Sequence, residues 1–208
     1  MLKESFKNTE NRTFARSFRT YFLLIIPAVI LNLLFSYFNN TVLESPLFLD
    51  SIFTAVAAVL LGPAAGVLTG LLTNIGMEFQ YGMTGLFWPF GICNMATGFI
   101  VGSLHKKRYF ETILQMTLAV LLVALVNAIL GAIVAYFLFE GDSGVVIDQV
   151  VSSLLHMGQP LSSAVFWARI PANLADKLIT VLAAFSLLRW IFPKDKESEY
   201  LLTKNYRN

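Results

Sequence analysis

The chain has 208 residues, of which 56% are hydrophobic and only 13% are charged, and its mean hydropathy is +0.67. A soluble globular domain typically carries about 25% charged residues, so this composition excludes an ordinary soluble domain and indicates a membrane protein. The single cysteine, Cys93, excludes an internal disulfide. The length allows one compact membrane domain with short loops.

Positive charge is concentrated in three places along the chain. Thirteen of the fifteen Lys and Arg residues lie in the segments 3–19, 106–108 and 189–207, and the other two are Arg169 and Lys177. Short loops on the cytoplasmic side of a membrane carry an excess of Lys and Arg. The pattern therefore predicts cytoplasmic termini, one cytoplasmic central loop and an even number of membrane spans.

Six apolar segments are predicted to cross the bilayer, because a spanning helix needs roughly 20 mostly apolar residues. In chain order they cover about 20–38, 47–61, 64–80, 86–104, 110–139 and 161–191. The predicted fold class is an all-α membrane protein, a six-transmembrane-helix bundle with both termini in the cytoplasm. The domain division that follows is a basic cytoplasmic segment, a six-helix substrate-binding domain and a cytoplasmic tail. These parts cover residues 1–19, 20–191 and 192–208.

The segment between the fifth and sixth spans is predicted to lie outside the cell. It includes an amphipathic stretch, 145–155, which is typical of a short interfacial helix. The predicted outside segments carry acidic residues and neither Lys nor Arg, in agreement with the orientation. The acidic residues are Glu44, Glu140, Asp142 and Asp148.

Polar residues within the apolar runs are the first candidates for a binding site, because an unpaired polar group is costly in lipid. Those on the first five spans are Asn32, Asp50, Asn74, Glu78, Asn94 and Asn127. The sixth span carries Arg169, Asn173, Asp176 and Lys177 at offsets that place all four on one helical face. We expect this face to point into the bundle.

Two roles remain open for Arg169 at this point. It contacts a ligand, or it forms a structural ion pair with an acidic residue near an outer helix end, for which Asp50 and Glu78 are the candidates. Asp176 and Lys177 are expected to pair with neighbours and stabilise the fold, because they lie deep in the sixth span.

Aromatic residues are frequent in the outer half of the predicted bundle. An interfacial aromatic belt explains many of them, but aromatic rings beside a few polar groups also suit a flat ligand. Trp88 and Trp167 are the two that we expect in a pocket. Sequence motifs for a nucleotide-phosphate loop, a nucleophile elbow or a His/Cys metal cluster are absent from the chain. We therefore predict no enzyme activity, no cofactor, no metal site and no nucleic acid partner.

Several motifs resemble those of one transporter family. Segments 46–54 (PLFLDSIFT) and 61–74 (LGPAAGVLTGLLTN) are similar to the second and third helices of substrate-binding S components of energy-coupling factor (ECF) vitamin transporters. Segments 87–94 (FWPFGICN) and 98–102 (GFIVG), followed by a basic loop, resemble the fourth helix. The last helix of some members is similar to 161–166 (LSSAVF) and 176–179 (DKLI). The likeness covers most of 46–190.

The resemblance implies a function in the cell membrane. S components capture a vitamin or related micronutrient near the outer face, and they work with a transmembrane coupling subunit and two ATPase subunits. Placed by their positions in the chain, the expected substrate-binding residues are Asp50, Glu78, Trp88, Asn94, Trp167, Arg169 and Asn173. Two alternatives remain: a membrane module that senses a ligand without transporting it, and a self-sufficient channel or carrier.

Overall fold

The computed structural model of the protein describes residues 21–144 and 146–191. The residues that lie outside the described parts are 1–20, 145 and 192–208, and they include the predicted N-terminal segment and C-terminal tail. The described helices are α1 (Tyr21–Leu43), α2 (Ile52–Leu61), α3 (Pro63–Gln80), α4 (Gly91–Lys106), α5 (Ile113–Phe139), α6 (Ile147–His156) and α7 (Leu161–Ile191). Within these ranges no strand occurs, which confirms the all-α class.

The ends of three predicted helices need correction. Helix α1 continues through a π-helical turn, Asn39–Leu43, where we predicted a loop. Residues 47–51, predicted as helix, form an irregular segment before α2, and a short 3₁₀ turn, Trp88–Phe90, precedes α4. The amphipathic stretch is the separate helix α6. The two irregular segments depart from helix because their backbone N–H groups are bound by side-chain carboxylates of other elements, as described below.

Two of the described helices are long and apolar enough to cross a membrane by length and hydropathy. They are α1, whose best window has a mean hydropathy of 2.1, and α5, whose window reaches 2.8. Many apolar side chains of α1, such as Leu23, Ile30 and Leu34, are exposed in the isolated chain. An apolar outer surface is the expected surface for contact with lipid tails.

Glycines bring α3 and α4 into direct backbone contact. A Cβ atom added to Gly98 would lie 2.3 Å from the backbone carbon of Gly66, and one added to Gly102 would lie 2.8 Å from the backbone of Pro63. A Cβ atom added to Gly70 would lie 2.6 Å from the backbone of Asn94. The small residues of α3 therefore serve packing inside the bundle, where close backbone approach maximises van der Waals contact.

The small residues of α5 also pack inside the bundle. Ala124, Ala128 and Ala135 are buried, and α5 packs against α4 and α7. Gly131 leaves space for the Arg169 side chain, whose Cδ would lie 3.4 Å from a Cβ at this position. Methyl groups in place of larger side chains let α7 approach α5 closely enough to enclose the polar face of α7.

A buried amide fixes α1 to the next two helices. The Asn32 side chain donates to Thr54 Oγ1 of α2 at 2.9 Å and to Thr73 Oγ1 of α3 at 3.1 Å. Its oxygen accepts from the Phe53 N–H, one of the first amides of α2, which have no partner within the helix. All the hydrogen-bonding groups of the amide except one lone pair are thus used, as burial in an apolar bundle demands.

We expect Gly98→Ala to destabilise the protein, because the added methyl group would overlap the backbone of Gly66. Unlike a side chain, this backbone cannot move aside by changing its rotamer. Overpacking of this kind costs roughly 1–3 kcal/mol. Thermal unfolding in detergent should show a lower midpoint for Gly98→Ala. The control Ala64→Val adds more bulk at an exposed position of α3 and should change the midpoint little. Equal midpoints for both variants would contradict the close α3–α4 contact.

Candidate substrate-binding site

A cavity of about 310 Å³ lies at the end of the bundle opposite to the basic turn at 106–108. The C-terminal ends of α1 and α3, the start of α4, and the half of α7 near its N-terminus surround it. Its walls combine aromatic rings with amides and charged groups. The polar lining residues are Ser36, Asn40, Ser45, Asp50, Asn74, Cys93, Asn94, Asn127, Arg169, Asn173 and Lys177, and the aromatic ones are Phe48, Tyr81, Phe87 and Phe90.

The floor of the cavity is built around a buried ion pair in α7. Asp176 Oδ2 lies 2.7 Å from Lys177 Nζ, and both side chains are almost fully buried. Asp176 Oδ1 accepts hydrogen bonds from the Phe48 N–H at 3.1 Å and the Leu49 N–H at 2.8 Å, while Lys177 donates to Ser51 Oγ at 2.8 Å. The pair therefore fastens the irregular segment 47–51 to α7.

The backbone of this segment is shaped to present its amides to the carboxylate. Leu49 has φ +49°, a left-handed conformation that is uncommon for a residue with a side chain. Successive N–H groups at such a bend form a concavity that binds an oxygen anion. Asn39 holds the preceding part of the segment, since its Nδ2 donates to the Leu47 carbonyl at 2.6 Å.

The Glu78 carboxylate holds the segment between α3 and α4. It accepts from the backbone N–H groups of Gly85, Phe87 (2.8 Å) and Trp88 (3.1 Å), and from the Thr84 hydroxyl at 3.4 Å. Four donors use up the usual acceptor positions of a carboxylate. Glu78 thus positions Phe87 and Phe90 as cavity walls, although it does not line the cavity itself.

A chain of amides crosses the wall opposite α7. Asn94 Nδ2 donates to the Asp50 carbonyl at 2.9 Å and to Asn74 Oδ1 at 3.3 Å, and Asn74 Nδ2 donates to the Phe87 carbonyl at 3.1 Å. Asn94 Oδ1 is buried and has no hydrogen-bond partner among the described residues. Both neighbours of Nδ2 are acceptors, so the orientation of the Asn94 amide is fixed by its surroundings.

Arg169 is buried beside the cavity and pairs with α6. Its Nη2 lies 3.7 Å from Asp148 Oδ1 and donates to Ser143 Oγ at 3.4 Å. The guanidinium also lies 5.9 Å from the centre of the Phe90 ring. Of the two roles left open for Arg169, an ion pair is present, but its partner is Asp148 and not the candidates Asp50 or Glu78. Glu78 is bound to the α3–α4 segment, and the packing of α6 against α7 brings Asp148 closer.

The structure brings together four of the seven residues expected to bind substrate. Asp50, Asn94, Arg169 and Asn173 line the cavity, as does Lys177, for which we expected only a structural role. The polar face of α7 points into the bundle as predicted, since Arg169, Asn173, Asp176 and Lys177 are all buried. Roles of these residues in binding stay predictions.

The other three expected residues lie away from the cavity lining. Trp88 and Trp167 are 58% and 59% exposed, and Glu78 binds the backbone segment described above. The sequence contained a signal for Trp167. It is two residues from Arg169, which is about 200° around a helix of 3.6 residues per turn, so the two side chains leave opposite sides of α7.

Several cavity residues were noted in the sequence as polar or aromatic but were not assigned to the site. Asn74 and Asn127 were among the polar residues of the apolar runs, and Phe48, Phe87 and Phe90 belong to the aromatic-rich outer half. The three aromatic residues lie near ends of predicted helices, which was a usable signal, whereas Asn74 and Asn127 lie in the interior of α3 and α5. Ser45, Pro46 and Leu47 also line the cavity and were not assigned to the site either.

The arrangement is suited to binding a small molecule. The cavity is concave, partly apolar and provided with a few convergent polar groups, which are the properties of a ligand site. Among residues 21–144 and 146–191, no group of three or more His, Cys, Asp or Glu side chains is placed to hold a metal ion.

Comparison with known protein families defines the class. The sequence model of the family described as "ECF transporter, substrate-specific component" matches residues 20–188. The match covers most of the chain, and the protein therefore belongs to this family. It is a substrate-binding membrane subunit of ECF importers, a transport subunit and not an enzyme, whose partners are a small-molecule substrate and the ECF module. No curated protein and no solved structure gave a significant match.

Removing one partner of the α7 ion pair should strongly destabilise the protein. Asp176→Ala leaves Lys177 buried without its counterion and frees two amides of segment 47–51, a change that costs about 3–5 kcal/mol. The double variant Asp176→Leu, Lys177→Met removes both charges and should be less destabilised than the single variant. Thermal unfolding in one detergent measures both. A single variant as stable as the unsubstituted protein would contradict this role.

Neutralising Glu78 should loosen the segment between α3 and α4 without unfolding the bundle. Glu78→Gln keeps the size of the side chain but replaces one acceptor oxygen by a donor. Some of the three hydrogen bonds that the side chain accepts from backbone N–H groups must therefore be lost. Hydrogen–deuterium exchange should become faster in peptides that cover 82–90 and stay unchanged in α5. The control is Glu140→Gln, at an exposed carboxylate. Unchanged exchange at 82–90 would refute the assignment.

Proposed function

We propose that the protein is the substrate-capture subunit of an ECF-type importer in the cell membrane, and that it takes up a vitamin or related micronutrient from outside. A transmembrane coupling subunit and two ATPase subunits complete the importer. The observation that carries the proposal is the cavity of about 310 Å³ at one end of a helical bundle of this family. Capture and delivery leave the substrate chemically unchanged.

Charge supports the orientation of the cavity. The segments that connect helices at the cavity end, 44–51, 81–90, 140–146 and 157–160, contain neither Lys nor Arg, and two of them, 44–51 and 140–146, carry acidic residues. The opposite end carries the basic turn at 106–108, which joins α4 to α5. By the positive-inside rule the basic end is cytoplasmic, so the cavity opens toward the outside. Six spans with both termini in the cytoplasm fit this assignment.

Burial of polar groups supports a protein that works within lipid. Helices α1 and α5 expose apolar side chains, whereas the amides and charges are enclosed between the helices. Such a body has a hydrophobic exterior compatible with the bilayer and a polar interior suited to a water-soluble ligand. The outward-facing apolar surfaces also provide area for contact with a coupling subunit.

We expect ATP-dependent uptake of one micronutrient when the chain is co-reconstituted with a coupling subunit and two ATPase subunits. Proteoliposomes containing ATP would be given a defined mixture of water-soluble vitamins, and mass spectrometry would show which compound accumulates. ATPase subunits inactivated for hydrolysis are the control. Binding without uptake would favour a sensing module, and uptake without the ATPases would favour a self-sufficient carrier. Either result would contradict the proposal.

A further inference from the structure

The ionisable groups around the cavity leave one carboxylate without a matching cation. Arg169 is paired with Asp148, and Lys177 is paired with Asp176 and bonded to Ser51. Asp50 is the remaining charged residue of the lining, and no hydrogen bond from another described residue reaches its carboxylate. Among these five groups, the three carboxylates of Asp50, Asp148 and Asp176 outnumber the two cations, Arg169 and Lys177, by one.

Asn94 places a second free acceptor in the same part of the cavity. Its Oδ1 is buried without a partner, and its Nδ2 is bonded to the backbone carbonyl of Asp50, so the two residues are adjacent. A buried acceptor that lacks a donor costs roughly 1–3 kcal/mol, and a donor on a ligand recovers this energy. Two neighbouring acceptors are complementary to a group with several N–H donors.

The cations of the site are poorly placed to receive an anionic ligand. A carboxylate or phosphate would have to share Arg169 with Asp148, or compete with Asp176 for Lys177. Displacing Asp176 would also release the Phe48 and Leu49 amides that it binds. Separation of buried ion pairs is costly because each charge is left without a counterion. The charges therefore oppose an anion and favour a cation.

The aromatic walls and the volume limit the size of the ligand. Rings of Phe48, Tyr81, Phe87 and Phe90 line the cavity, and Tyr81 and Phe87 stack with centroids 4.5 Å apart. Aromatic faces attract cations and flat rings. A cavity of about 150 Å³ holds one benzene molecule, so about 310 Å³ suits a compound with one or two rings.

From these observations we infer that the substrate is a small one- or two-ring compound with a cationic or N–H-rich nitrogen group, and that this group binds Asp50 and Asn94 Oδ1. The inference rests on the proposed function and specifies the substrate class of the same cavity. A protonated amine, an amidine or an amino-substituted nitrogen heterocycle has the required donors. The two acceptors select this group, and the rings of the walls hold the rest of the molecule.

The test begins with the ligand that the protein retains. The full chain is produced in rich medium and purified in mild detergent, and the compound released on denaturation is identified by mass spectrometry. If the protein is purified without a bound compound, the shift of its thermal unfolding midpoint is measured with added ligands. Pyridoxamine and thiamine are the cations, and 4-pyridoxate, nicotinate and pantothenate are the anions. Pyridoxamine and 4-pyridoxate share one ring and differ in the charged substituent, so they form a matched pair.

The expected result is a retained or stabilising compound with a cationic or N–H-donating nitrogen group. Recovery of an anion without such donors, or stronger stabilisation by the anions, would overturn the inferred class while leaving the capture function intact. A protein that retains nothing and responds to no compound would overturn the class and the function together. The identity of the retained compound is decisive even if no substituted protein folds.

A charge variant tests the residue itself. Asp50→Asn keeps the shape and removes the charge, and it should weaken binding of the compound about 10- to 100-fold, as expected for loss of a charge-assisted hydrogen bond. Glu140→Gln removes an exposed carboxylate near the same end of the bundle and should leave the Kd unchanged. Binding to Asp50→Asn as tight as to the unsubstituted protein would overturn the role of Asp50.

Discussion

Asp176 and Lys177 form an ion pair that is shielded from solvent in the middle of α7, and the geometry of the cavity depends on it. Removing two charges from water costs several kcal/mol per ion, and the pair is tolerable only with further hydrogen bonds. Those bonds come from the amides of Phe48 and Leu49 and from the Ser51 hydroxyl. The need to satisfy a buried pair therefore fixes the segment that carries Asp50 and one aromatic wall.

The same solution recurs at three irregular segments around the cavity. Asp176 of α7 holds 47–51, Glu78 of α3 holds 84–88, and Asp148 of α6 binds the backbone and hydroxyl of Ser143. In each case a carboxylate on a helix accepts hydrogen bonds from backbone N–H groups that lie outside α-helices and therefore have no partner in regular secondary structure. Buried N–H groups need such a partner. Three of the acidic residues near the cavity are thus structural. Asp50 is the exception, and the substrate class that we infer depends on it.

Close helix packing is the second requirement for an enclosed polar site. Glycines at the α3–α4 contact and alanines on α5 allow backbones to approach, so that α7 can turn a face with four polar residues inward. Without this approach the charges of α7 would meet lipid, at high cost. Large apolar side chains are consequently placed on the outside of α1 and α5, where the membrane and the coupling subunit lie in our proposal.

The sequence by itself determined the helical class and the inward direction of the α7 face, because hydropathy and helical periodicity are local properties. Its motifs determined the family, since the family match depends on the sequence alone. Of the seven residues that it singled out by position, Asp50, Asn94, Arg169 and Asn173 line the cavity, and their roles in binding stay predictions. Only the tertiary structure decided that Asp148 is the partner of Arg169 and that Glu78 binds backbone amides. Ion pairs and loop anchors join residues distant in the chain, so helix packing chooses among chemically equivalent carboxylates.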